Sequence, residues 1–170
     1  MSEYIEFSNI DNILRNISQK IIQNEDIAKC LKFNTPDALS QTITDDERYE
    51  LYNQDINNLE NTRVIFRPFN NDVIEDQRSE IRIYYASFAP DNPYLVKARV
   101  GFDIIVCNEL WRLDGGKQRP TTLFKGILQS LNGQLVDGVG ELVFSDSTAV
   151  LRYFNSKFTG YSFTMKTRSV

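Results

Sequence analysis

Apolar residues recur three and four apart near the start of the chain, at Ile10, Ile13, Leu14, Ile17 and Ile21. This spacing predicts an amphipathic helix over residues 8–23, with Ser8, Asn9 or Asp11 as its cap. Asn24 closes it, and residues 25–31 restart a short helix with Glu25 and Asp26 at its positive end. Asn34-Thr35-Pro36-Asp37 makes a turn that opens a single helical turn with Ala38 and Leu39. Thr44 and Glu47 have the spacing of a capping box, which starts another short helix running to Leu51 or Tyr52.

The period changes to two at residue 79. Ile81, Ile83 and Tyr85 alternate with Arg82, Tyr84 and Ala86, the pattern of a half-buried strand. Ala89-Pro90-Asp91-Asn92-Pro93 reverses the chain, and a longer strand over 95–113 returns. Its apolar face carries Val96, Ala98, Val100, Phe102, Ile104 and Val106; Lys97, Arg99 and Asp103 stand on the other. Residues 79–113 therefore read as a long two-strand ribbon at the centre of the fold. After the turn Asp114-Gly115-Gly116-Lys117, a helix over 119–132 has Pro120 in its first turn, an apolar stripe of Leu123, Ile127, Leu128 and Leu131, and a stop at Asn132-Gly133. Strands follow at 140–144, 149–154 and 161–166, separated by turns at Ser145-Asp146-Ser147 and Thr159-Gly160.

Between the helical part (1–52) and the ribbon lies a polar loop, 53–78, which holds six asparagines. Only residues 63–66 look strand-like there, and Pro68 confines them to an edge or an end. A connection this long is expected to touch a partner. The organisation is one domain, 1–170, of α/β class in the α+β sense: a mostly antiparallel sheet built on the ribbon, flanked by an N-terminal helix and a second helix near 120–132, with terminal strands at 140–168.

Composition narrows the function more than the fold. A chain of 170 residues with 41% hydrophobic and 25% charged side chains can bury one ordinary core, and no apolar run reaches a membrane span. The acidic N-terminus is not a secretory signal, so synthesis in the cytoplasm is expected. A net charge of −4 argues against a surface that grips phosphates over a large area. There is no histidine, which removes the commonest general base and metal ligand together. Cys30 and Cys107, far apart, read as buried free thiols.

Motifs for chemistry fail one by one. Gly116-Lys117 lacks the first glycine of a phosphate-binding loop, where Trp111 stands, and Gln118 replaces the serine or threonine that would hold magnesium. No dinucleotide fingerprint and no nucleophile elbow occurs. The acidic run Asp45, Asp46, Glu47 is explained by capping. The expectation is a protein that is not an enzyme and needs no cofactor and no metal, with Trp111, Tyr84-Tyr85 and Tyr153-Phe154 serving core or subunit interface.

Three stretches carry a resemblance: Ile27-Ala28-Lys29-Cys30-Leu31-Lys32-Phe33-Asn34 with Asp37-Ala38-Leu39-Ser40; Asp76-Gln77-Arg78-Ser79-Glu80-Ile81-Arg82-Ile83-Tyr84; and Gly101-Phe102-Asp103-Ile104-Ile105-Val106. Together with the order helix, polar loop, ribbon, helix, terminal strands, they resemble the tail-terminator and tail-completion (neck) proteins of tailed bacteriophages over most of the chain. The resemblance implies a homo-oligomeric ring, usually a hexamer, that ends tail-tube growth and joins the tail tube to the head connector or stopper. DNA would pass through it without specific binding. A head-completion adaptor or stopper ring is the nearest alternative, followed by a peptide-binding adaptor module outside phages and by a histidine-free hydrolase using carboxylates and a divalent metal. Subunit-interface candidates are Arg82, Tyr84, Lys97 and Arg99 on the polar face of the ribbon. Candidates facing a lumen or a neighbour are Asp72, Glu75 and Asp76.

Overall fold

The computed structural model describes residues 5–6, 10–70, 76–90 and 95–168. The candidates Asp72 and Glu75, and the caps Ser8 and Asn9, lie outside these residues. Helix α1, Ile10–Ile22, buries Ile13, Ile17 and Ile21, the stripe its spacing predicts. Asn24 does more than end it. Its side-chain oxygen accepts the Ile27 N–H at 3.2 Å and so caps α2, Glu25–Lys32. The Thr44–Glu47 box forms in both directions at the start of α3, Asp45–Tyr52. Helix α4, Arg119–Leu131, lies against α2 at Gly126, where a Cβ would come within 2.6 Å of Ile27.

These helices cover one face of an eight-stranded sheet. Its strands are β1 (Ile5–Glu6), β2 (Val64–Ile65), β3 (Ser79–Pro90), β4 (Leu95–Cys107), β5 (Gln134–Val136), β6 (Gly140–Val143), β7 (Val150–Tyr153) and β8 (Phe158–Arg168). The ribbon is β3 against β4, paired antiparallel from Ser79↔Val106 to Pro90↔Val96 with a bulge between Tyr85 and Ser87. β8 pairs with the other side of β4, which makes β4 the central strand. β8 in turn carries β7 along its first half and β6 along its second. Between those two partners the Ser147 hydroxyl accepts the Thr164 N–H at 3.2 Å. β2 pairs parallel with β3 at the sheet edge, the place Pro68 allows it.

Two strand boundaries differ from the sequence reading, and two strands are added to it. The returning strand ends at Cys107, not Leu113, because Asn108 is tied to the β7–β8 hairpin: its N–H donates to Lys157 O at 2.8 Å and its side-chain oxygen accepts from Thr159 at 2.7 Å. Thr159 and Gly160 are strand, not turn, since β8 starts at Phe158. The short strands β1 and β5 are additions.

Ile81, Ile83, Val100, Phe102, Ile104 and Val106 form the helix-side core. Ring contacts of Phe124 with Phe163 and Phe144 tie α4 to it. The opposite face is covered as well. Phe69, just past β2, meets Phe154, just past β7, with ring centroids 5.0 Å apart, so the chain crosses this face. Beneath lie Ile105, Cys107 and Phe158, all buried. Residues 101–107 are consequently buried throughout, as expected of a strand covered on both sides.

Candidate assembly surface

The second face corrects the expectation for Arg82. It is 3% exposed, and its guanidinium clasps the fully buried Glu80, with Nε and Nη2 at 2.8 and 2.7 Å from Oε2. Arg78 meets the other oxygen of the same carboxylate. Two arginines balance the charge of this carboxylate, while its Oε1 and Arg82 Nη1 make no hydrogen bond among the described residues; the group is a buried ion cluster, and Arg82 has almost no surface to offer a neighbour.

Tyr84 is half-buried. Its hydroxyl donates to Asp103 at 3.3 Å, and Ser162 donates to the same carboxylate oxygen at 2.5 Å. Burial, with the Asp103 charge behind it, pushes the Tyr84 phenol up to about 12. Its ring lies over Gly101, where a Cβ would stand 2.5 Å from it. Arg99 is half-buried, near the Asp146 carboxylate that pairs with Lys166. Lys97 and Asp76 are exposed. Asp76 lines a cleft of about 210 Å³ with Gln77, Asn108, Glu109 and Lys157. The polar-face candidates thus divide: Arg82 and Tyr84 hold the fold, Arg99 is half-buried and Lys97 remains at the surface, as does the loop candidate Asp76.

Among the described residues, no group of three histidine, cysteine, aspartate or glutamate side chains is placed to hold a metal ion, and no helix is long and apolar enough to cross a membrane. Cys30 is fully buried, and burial raises its thiol to about 11, far from the thiolate a nucleophile needs.

The surface feature that the sequence pattern left unmarked is a strand edge. All four residues of β7 are exposed, with Tyr153 at 79%, Val150 at 51% and Leu151 at 43%. β7 has β8 on one side and, among the described residues, no strand on the other. At the opposite end of the sheet β2 covers β3 only at Ile81 and Arg82, so from Ile83 onward the outer edge of β3 is also unpaired among the described residues. Phe88, on that stretch, is 48% exposed and its ring packs on Tyr85 at 4.7 Å. The run Val150-Leu151-Arg152-Tyr153 looked like an ordinary strand because side-chain pattern reports burial of faces, not coverage of edges.

The third edge is closed. The Lys20 ammonium donates to Leu135 O at 2.7 Å and the Asn16 amide to Asp137 O at 3.0 Å, fastening α1 along β5. Two open edges on one sheet, both carrying exposed apolar side chains, make a surface suited to strand pairing with another chain. The family described as YomW matches residues 24–167. No curated protein and no solved structure matches.

Proposed function

We propose, from the premise that this chain belongs to the YomW family, that it is a structural protein of the phage neck, a tail-terminator-like ring that ends tail-tube growth and joins tail to head. YomW is a protein of the SPbeta phage region of Bacillus, which supports a phage setting. The observation that carries the reading is β7, a strand exposed along its whole length at an open sheet edge. A monomer with such an edge risks uncontrolled pairing, and a closed ring covers it. The charge of −4 suits a passage through which DNA slides, since like charges repel phosphates.

In this reading the work is assembly and the residues that matter are contact residues. Native mass spectrometry of the purified chain, followed by electron microscopy with tail tubes and head connectors, tests it. A closed ring, expected as a hexamer, seated at the end of the tube is the outcome the proposal requires. A chain that stays monomeric even with tubes and connectors present overturns it, and a ring of another symmetry bound only to the head connector replaces it with a head-completion role.

A further inference from the structure

We infer that copies of this chain join by strand addition, β7 of one copy pairing antiparallel with the outer edge of β3 in the next. Strand directions make this possible. β3 and β4, β4 and β8, and β8 and β7 are each antiparallel. β3 and β8 therefore run one way, β4 and β7 the other. Within one copy β7 lies level with Ser79–Arg82 of β3, where β2 covers the edge, so the next copy must be offset along the strands. Rotation about an axis inclined to the strands supplies that offset and keeps their directions, so β7 meets the open part of the next β3 antiparallel and the alternation of the sheet continues across the joint. Antiparallel pairing is the mode that short strands use most readily.

The faces match too. Residues directly opposite in neighbouring strands share a face. Leu151 and Tyr153 pair with Tyr161 and Thr159, which pair with Ile104 and Val106 of the helix-side face. Tyr85 and Phe88 pair with Val100 and Ala98, on that same face. With that offset, a continued sheet puts the exposed Leu151 and Tyr153 of one copy beside Tyr85 and the exposed Phe88 of the next, apolar against apolar. On the other face Val150 and Arg152 would meet the side carrying Tyr84 and Ser87.

The occupant is a second copy because one head-to-tail contact covers both open edges of every copy, whereas a bound peptide or foreign strand covers only one. This contact supplies the interface of the ring proposed above and rests on that reading for its closure. Pairing of β7 with β7 would instead give a two-fold dimer and leave β3 open.

Disulfide cross-linking separates these cases. Both native cysteines are buried, so Phe88→Cys is mixed with Leu151→Cys or with Tyr153→Cys and oxidised with copper phenanthroline in air. The mixtures should give a cross-linked dimer that neither variant gives alone, and a chain carrying Phe88→Cys and Leu151→Cys together should give a ladder ending at the closed ring. Single variants that cross-link to themselves overturn the inference, as does an uncross-linked mixture from a chain that still sediments as a ring; in the latter case the ring reading stands and its interface lies elsewhere. Cross-linked open filaments uphold the edge contact and overturn the ring. A monomer that never cross-links overturns both. Leu151→Lys, with an unchanged circular dichroism spectrum, should weaken self-association about tenfold or more, as loss of a buried apolar contact does; unchanged association counts against the inference.

Discussion

Arg119 is the side chain on which the helical layer turns. It is fully buried, and among the described residues no carboxylate pairs with it. Instead its guanidinium donates to four carbonyls: Cys30 O at 2.6 Å, Phe33 O and Thr35 O at 2.8 Å, and Leu110 O at 2.8 Å. The first of these belongs to the last turn of α2, where backbone carbonyls lack helical partners and positive charge is favoured. Arg119 therefore locks the end of α2 to the start of α4 and to the segment after β4. Arg119→Met should cost about 3 kcal/mol through carbonyls left without donors, read as a fall in the urea midpoint. Arg119→Lys should restore only part, because an ammonium has fewer donors and no planar fork. Gly101 answers to Tyr84 in the same way. An alanine there pushes the Tyr84 ring from its place and breaks its bond to Asp103, at about 1–3 kcal/mol. Tyr84→Ala frees that space, so the double variant Gly101→Ala with Tyr84→Ala should lose less than the sum of the two single losses in a double-mutant cycle. Strict additivity would mean that the ring does not set the requirement for glycine.

At the scale of elements, α3 gives a prediction with a defined sign. The Glu47 carboxylate accepts the Thr44 N–H at 3.0 Å, and that backbone bond, with the Thr44 hydroxyl and Lys32 adding to it, lowers its pKa. A carboxyl with a lowered pKa in the folded chain takes up its proton first in the unfolded one. Its contribution is thus full above the ordinary glutamate value, near 4.3, and drains away as pH falls through the lower, folded value. Glu47→Ala, which removes the acceptor of the Thr44 N–H, should be less stable than the parent at neutral pH, and its denaturation midpoint should approach that of the parent as the pH is lowered through this window. A gap that stays constant with pH would remove Glu47 from the cap. This box was legible because both partners lie in four consecutive residues. So were α1 and α4, whose stripes Ile13–Ile17–Ile21 and Leu123–Ile127–Leu131 are local patterns. The end of β4 was not, because Asn108 is drawn aside by Lys157 and Thr159, about fifty residues away. Arg82 fell on the polar face by alternation and is nonetheless buried, since Phe69 reaches Phe154 across that face. A period of two states which residues share a face; what covers the face is decided by distant chain.

For the whole molecule, the proposed contact between sheet edges predicts a stability that depends on concentration. Contact between copies stabilises the folded chain by mass action, so an assembling protein melts higher as it is concentrated. The parent chain should therefore show a melting temperature that rises with protein concentration. Leu151→Lys should melt at the temperature of the dilute parent at every concentration, because Leu151 is 43% exposed and contributes little within one copy. A buried alternative serves as the control. Ile104, fully buried in β4, should lower the melting temperature equally at all concentrations when cut to valine, by an amount matching about 1 kcal/mol, while leaving the concentration dependence in place. Edge and core would thus separate as two independent effects on one melting curve. If Leu151→Lys instead kept the full concentration dependence, the contact would have to lie on other exposed apolar residues, of which Ile56 and Leu59 in the polar loop, at 79% and 54% exposure, are the next to change.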